Sequence, residues 1–298
     1  EGTAGIVRSY IEHGMSSLPQ PIKLYYNITA YRYENVQKGR YREFHQFGVE
    51  AFGAKGPSID VEVISILDLL FKKLGIKGVE LNINSIGCPV CRREYNKKLK
   101  EFLEPILENL CENCKTRFER NPLRILDCKE DKCKSYLKDA PALIDNLCDE
   151  CVEHFEGLKA GLDNLGIEYK VDKNIVRGLD YYTKTVFEII NNDITVCGGG
   201  RYNNLIEQIG GKSTPAVGFG MGMERLLLTV EENNISIPEP NYMDVYIGSM
   251  GEKGKIESLK ITNALRQKGI KADCDHMGKS VKAQMKYANK IAAIYSMI

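Results

Sequence analysis

The chain has 298 residues, with 41 Lys and Arg against 40 Asp and Glu and a formal net charge of +1. That length exceeds one compact core of usual size and calls for two or three domains, while the near-zero charge excludes a polycation that grips nucleic acid by bulk electrostatics. No run reaches the ~18 apolar residues of a membrane span, and residues 1–5 carry no signal-peptide pattern, so a soluble, cytoplasmic protein without membrane contact is expected.

From 22 to 52 the pattern reads strand, turn, strand, with period-two alternation and Gly39 at the bend, which predicts a hairpin. Residues 60–74 carry Val61, Val63, Ile64, Ile66, Leu67, Leu69 and Leu70 at helical spacing, and 79–83 alternates as a strand. Between 88 and 151 the composition changes: eight of the ten cysteines fall there, among helical stretches such as 97–110, and acidic and basic residues balance, leaving no basic face. A helix over 153–165, strands over 169–171, 185–190 and 193–196, a buried strand over 216–220 and a helix over 223–232 follow. Sheet elements on both sides of the cysteine-rich stretch imply one domain interrupted by an insertion.

The prolines of 237–241 mark a boundary. Beyond them, strands over 243–247, 270–274 and 292–297 alternate with helices over 255–268 and 280–289, a βαβαβ order that requires a parallel sheet. The first residue is Glu1 and the last lies in an apolar run, so both ends are expected to continue in a longer chain.

Three segments carry chemistry. Arg32, Lys38, Arg40 and Arg42 crowd one turn, and arginine's planar donor fork matches phosphate oxygens in pairs; an ordinary ribbon with solvated charges is the alternative. The second segment, Arg177-Gly178-Leu179-Asp180-Tyr181-Tyr182, combines a cation, an acid and two phenols, which alone also describes a tight turn with surface aromatics. In the third, a strand enters a helix through Gly218, Gly220 and Gly222, a composition that lets backbone approach a ligand closely. Met223 stands where a dinucleotide fingerprint needs its last glycine, so Arg225, on the first helical turn, is better read as a side chain projected back over the sheet.

The cysteines form four close pairs: Cys88 with Cys91, Cys111 with Cys114, Cys128 with Cys133, and Cys148 with Cys151. Two tetrahedral thiolate zinc sites would use all eight, buried free thiols are the alternative, and which pairs combine is open. His154 is a substitute ligand by its spacing from Cys151. His45 falls beside the arginine turn but alternates away from Phe44 and Gln46, which argues against a general base.

Taken in order, these segments resemble the class II aminoacyl-tRNA synthetases and, within them, the histidyl-tRNA synthetases. Residues 32–50 look like the motif 2 hairpin, 177–182 like the histidine-specific signature, 218–225 like motif 3, and 243 onward like the anticodon-binding domain. The resemblance implies an α+β fold: a class II antiparallel sheet core over 1–87 and 153–236, a helical Cys-rich insertion over 88–152, and a small, truncated α/β anticodon-binding domain over 242–298. It implies activation of L-histidine with Mg²⁺ and ATP to histidyl-adenylate and pyrophosphate, then transfer to tRNA(His), by a homodimer whose motif 1 would precede Glu1. By position, Arg32 and Arg177 would be catalytic. Arg32, Glu34, Arg40, Phe44 and Arg225 would bind ATP, with adenine between Phe44 and Arg225. Glu1, Gly2, Thr3, Arg32, Gln46, Glu50, Arg177, Tyr181 and Tyr182 would hold histidine, and Gln37, Lys38 and Arg40 would meet the tRNA acceptor end. The alternative within the same resemblance is the non-catalytic regulatory subunit of ATP phosphoribosyltransferase, which loses catalytic arginines and the anticodon domain; a zinc-organised RNA-binding module leaves the arginines unexplained.

Overall fold

A computed structural model describes residues 2–126, 128, 130–175, 179–192, 194–237 and 242–298. The chain divides into two compact units, Glu1–Ile235 and Ser236–Ile298.

The first unit opens with α1 (Gly2–Glu12), an element not among those expected from the sequence, which buries Thr3, Val7 and Tyr10 along one stripe. Strands β1 (Ile22–Tyr31) and β2 (Glu43–Phe52) then pair antiparallel, as the alternation predicts. Helix α2 (Ser58–Leu74) buries Ile59, Val63, Ile64, Leu67 and Phe71 along one stripe and stops at Gly75, whose φ of 72° suits a residue without Cβ. Strand β3 (Val79–Ser85) leads into the insertion, which holds α3 (Pro89–Leu103), α4 (Glu112–Arg120) and α5 (Asp131–Tyr136) linked by short 3₁₀ turns. Helix α6 (Asp149–Asn164) runs unbroken through residue 152, so the expected boundary between insertion and core falls inside a helix.

Strands β4 (Lys170–Val171), β5 (Thr183–Asn191) and β6 (Ile194–Arg201), the short helix α7 (Leu205–Gln208), strand β7 (Ala216–Gly222) and helix α8 (Met223–Glu232) complete the unit. The seven strands lie in the order β1-β2-β7-β6-β5-β3-β4, antiparallel except for β3 with β4. Strand β6 extends past the expected end at 196 through Gly198, Gly199 and Gly200 to Arg201. Glycine is a poor strand former in isolation, and here pairing on both sides, to β5 and to β7, holds the run extended.

One face of the sheet packs on α2, α6 and α8 through Val49, Ala51, Phe187, Val217 and Phe219, with Leu226 of α8 in the same cluster. The other buries Phe52, Tyr182, Val186, Tyr202 and Ala216 under Val7 and Tyr10 of α1 and Leu205 and Ile206 of α7. Between these layers sits a buried ion network. Arg201 on β6 and Asp60 on the first turn of α2 are both fully buried and pair at 2.6 Å. The guanidinium also donates to the carbonyls of Ala54 and Gly56, each at 2.9 Å. The Asp60 carboxylate receives Thr185 Oγ1 at 2.9 Å and meets His154 Nε2 at 2.6 Å. His154 is thus a core residue that ties α6 to α2, and the expectation of it as a metal ligand is overturned.

The second unit contains β8 (Val245–Ile247), α9 (Gly251–Gln267), β9 (Ala272–Cys274), α10 (Val281–Lys290) and β10 (Tyr295–Met297). Its three strands are parallel in the order β10-β8-β9, as the βαβαβ alternation requires. Among the described residues no helix is long and apolar enough to cross a membrane.

Candidate functional site

The 32–42 loop is held by backbone bonds from Arg32 N to Arg42 O and by a reciprocal pair between Gln37 and Arg40. Gly39 occupies the left-handed region at φ 68°, and a Cβ there would stand 3.0 Å from Leu228 and 3.1 Å from Arg225 Cγ, so glycine allows the tip to settle on α8.

Arg225 fastens this tip. Its Nε donates to Gly39 O at 3.1 Å and its Nη1 to Thr195 O at 2.6 Å, bridging the hairpin loop and β6. Burial lowers its pKa below the usual guanidinium value, and the like charges of Arg40 and Arg32 push in the same direction. Three guanidinium groups, two from the hairpin loop and one from α8, therefore act on one another, a state that an anion relieves. Glu34 neutralises part of the field: the hydrogen bond from Arg40 pulls its carboxyl below the usual range, and Arg40 Nη2 reaches it at 2.7 Å. Arg32 donates to Tyr41 O at 2.8 Å and lies over the Phe44 ring, 4.2 Å from its centroid. One face of the Phe44 ring, the ring that the family resemblance assigns to adenine, is thus covered by Arg32 here. Lys38 is exposed and paired with Glu232 at 2.7 Å, and Gln37 is exposed beside it.

Next to the arginines, β2 turns Phe44, Gln46, Gly48 and Glu50 to one face, because strand side chains alternate. Gln46 Oε1 accepts the Gly2 amide at 3.2 Å, and buried Thr3 follows on the same helix, so the N-terminus of α1 lies against this strand. Glu50 is fully buried, and Tyr202 donates its hydroxyl to Glu50 Oε2 at 2.5 Å. Burial and that carboxylate raise the Tyr202 phenol well above its ordinary pKa. Tyr181 stands 4.7 Å from the Tyr182 ring and 5.8 Å, edge-on, from that of Tyr202. Tyr202 is not legible as a site residue, because nothing in its local sequence marks it; only the pairing of β7 with both β6 and β2 carries it to Glu50.

The glycines of β7 serve this pocket in a way the sequence reading did not anticipate. They make room for side chains of the neighbouring strand: a Cβ at Gly218 would lie 1.8 Å from Glu50 Oε2, and one at Gly220 would lie 2.3 Å from Gln46 Nε2. His45, on the opposite alternation, is exposed and bonds Glu224 Oε1 through both its amide and Nδ1 at 2.8 Å, in keeping with the reading against a general base. Glu1 and Arg177 lie outside the described residues. The structure therefore brings Arg32, Arg40 and Arg225 into one field and Gly2, Thr3, Gln46 and Glu50 along one strand face. Tyr181 and Tyr182 reach the Glu50 side of that face through Tyr202.

The eight cysteines of the insertion gather into two groups of four, Cys88, Cys91, Cys148 and Cys151, and Cys111, Cys114, Cys128 and Cys133. In each group the four sulfurs lie within 4.8 Å of one another, an arrangement that can hold a metal ion.

A family profile described as histidyl-tRNA synthetase matches residues 1–226. The histidine–tRNA ligase of Acetivibrio thermocellus is 66% identical over 301 residues, spanning 100% of this chain and 72% of that protein. That of Clostridium novyi is 64% identical over 298 residues, with the same coverage of 100% and 72%. The solved apo histidyl-tRNA synthetase of S. aureus aligns with a TM-score of 0.82 at 42% identity, covering 99% of this chain and 73% of that one. A Bacillus halodurans ATP phosphoribosyltransferase regulatory subunit/histidyl-tRNA synthetase shares the fold, with a TM-score of 0.62 at 20% identity, covering 100% of this chain and 78% of that one.

Proposed function

Because this chain belongs to the histidyl-tRNA synthetase family, we propose that it activates L-histidine with ATP and passes the histidyl group to the 3′ end of tRNA(His). The observation that carries the reading is the arginine field of Arg32, Arg40 and Arg225 beside a pocket built on Gln46, Glu50 and Tyr202. In-line attack of the histidine carboxylate on the α-phosphate needs little covalent chemistry from the protein. It needs the two reactants held in register and the charge developing on the phosphate met by fixed donors.

In this reading Arg32 and Arg177 contact the α-phosphate, and Arg40, Phe44 and Arg225 hold the rest of the nucleotide. ATP enters with Mg²⁺. Gly2, Thr3 and Gln46, with Glu1, take the α-amino and carboxylate groups, and Glu50 with Tyr181 and Tyr182 faces the imidazole. An imidazole offers one donor and one acceptor, and a buried carboxylate beside phenols answers both, so analogues lacking either group leave the pocket unpaired. Zn²⁺ is the ion assigned to the two thiol groups, residues 37–40 meet the acceptor end, the 242–298 unit reads the anticodon, and the enzyme works as a cytoplasmic homodimer. The regulatory-subunit alternative has less support: the relatives at 64–66% identity are histidine–tRNA ligases, whereas the regulatory-subunit likeness stands at 20%.

The test is histidine-dependent exchange of pyrophosphate into ATP by the full-length protein, screened across the amino acids. Exchange confined to histidine is expected; none, or exchange indifferent to the amino acid, refutes the assignment. Within that assay Tyr202→Phe is expected to raise the KM for histidine about tenfold, because the phenol whose hydroxyl orients the buried Glu50 carboxylate is lost. An unchanged KM would remove Tyr202 from the pocket.

A further inference from the structure

We propose that Cys88, Cys91, Cys148 and Cys151 bind a zinc ion that closes the root of the insertion, and that this site holds Arg92 as a positioning residue for the histidine pocket. The inference rests on the synthetase reading above and adds to it the role of the outer zinc site as a joint and a residue that this joint positions.

Four thiolates about 2.3 Å from a tetrahedral zinc stand roughly 3.8 Å apart. Cys88 Sγ lies 3.7 Å from Cys91 Sγ and 3.9 Å from Cys148 Sγ, and in the second group Cys111 Sγ lies 3.8 Å from Cys128 Sγ. All eight are free thiols. Cys88 is the N-cap of α3 and Cys148 that of α6, which puts Cys91 and Cys151 on the first turns and all four sulfurs at helix N-termini, where backbone dipoles favour thiolates. The Cys148 amide donates to Cys91 Sγ at 3.1 Å, and the Cys111 amide to Cys133 Sγ at 3.2 Å, one cross-pair N–H···S bond in each group.

The pairing is nested: the first and last pairs combine, and the two inner pairs combine. The outer site therefore joins the residues where the chain leaves β3 to those where it returns in α6. The insertion needs such a joint. Its own apolar cluster is small, centred on Tyr95, Leu99, Leu103 and Ile125, and already incorporates Cys114, Cys128 and Cys133.

Arg92 follows Cys91 directly on α3, and its side chain leaves the insertion. Nη2 donates to Tyr182 O at 2.9 Å and Nη1 to Asp180 O at 3.4 Å. The same turn is held by Lys184 N donating to Gly87 O at 2.8 Å and by Asn121 Nδ2 donating to Asp180 Oδ1 at 2.6 Å. The carbonyls that Arg92 grips thus bracket Tyr181, whose ring packs on Tyr182 and Tyr202 over Glu50. Arg92 touches neither nucleotide nor amino acid in this scheme; it fixes the backbone that presents the phenols, and the outer site fixes Arg92.

The test uses full-length protein purified without chelators. Metal analysis is expected to give two zinc ions per chain, falling to one in Cys88→Ser/Cys148→Ser and to one in Cys111→Ser/Cys128→Ser; less than one in the wild type overturns the metal site. Because cysteine variants can unfold, Arg92→Ala and Arg92→Lys test the positioning half with all thiols intact. Both are expected to keep two zinc ions. In pyrophosphate exchange Arg92→Ala should raise the KM for histidine about tenfold while the KM for ATP moves less than about twofold. Arg92→Lys should recover part of the loss, since an ammonium can make one of the two bonds. An unchanged histidine KM, or equal rises for both substrates, overturns the role of Arg92. Absence of histidine-dependent exchange in the wild type sinks the functional reading instead, whereas normal wild-type exchange with a silent Arg92→Ala sinks this inference alone.

Discussion

Replacing Arg225 with alanine is expected to lower histidine-dependent pyrophosphate exchange by about 10²–10³-fold, the loss typical of a preorganised donor to developing negative charge. Two effects combine. The variant removes a cation from the field shared with Arg32 and Arg40, and it cuts the links to Gly39 O and Thr195 O that hold the hairpin tip against β6. Arg225→Lys should rescue little, because one ammonium cannot reach two carbonyls on different elements in the planar geometry of the guanidinium. Steady-state exchange kinetics with both substrates varied provide the check; activity within about threefold of wild type for the alanine variant would exclude Arg225 from the nucleotide site.

Asp60→Ala should destabilise the protein by about 3–5 kcal/mol, the usual cost of orphaning one member of a buried ion pair. Arg201 would keep its charge with its counter-ion gone, and Thr185 and His154 would each lose the oxygen they meet. Adding Arg201→Met to Asp60→Ala should restore part of the stability, since the second change removes the stranded guanidinium. Chemical denaturation of the three proteins measures this; a single-variant loss below about 1 kcal/mol would mean that water reaches Arg201 after all.

Local pattern made much of this molecule legible. The hairpin, α2, α8 and the βαβαβ order each follow from short-range periodicity, which reports the face a residue turns to its core. Helix α1 carries Val7, Tyr10 and Ile11 at helical spacing, but over only three turns that begin with Gly2 and include Gly5, two poor helix formers. The continuation of β6 was missed because its three glycines contradict strand propensity and only tertiary pairing overrides that. The arginine positions are readable, since three arginines and a lysine about one turn demand a counter-charge. The approach of Arg225 to Arg32 and Arg40 follows from the family resemblance and not from local pattern, and the nesting of the cysteine pairs from neither, because both depend on how distant strands and helices dock. Tyr202 and Arg92 belong to the same class: each matters through a partner more than 80 positions away in the chain.

The pocket floor on β7 is shaped by atoms that are missing. With no side chain at 218 and 220, the strand leaves two notches that Glu50 and Gln46 fill from β2. Any attempt to retune the pocket for a larger or smaller amino acid therefore has to vary positions 46 and 50 in concert with 218 and 220. A library that diversifies only the polar residues would sample a mould whose dimensions are already cast in glycine.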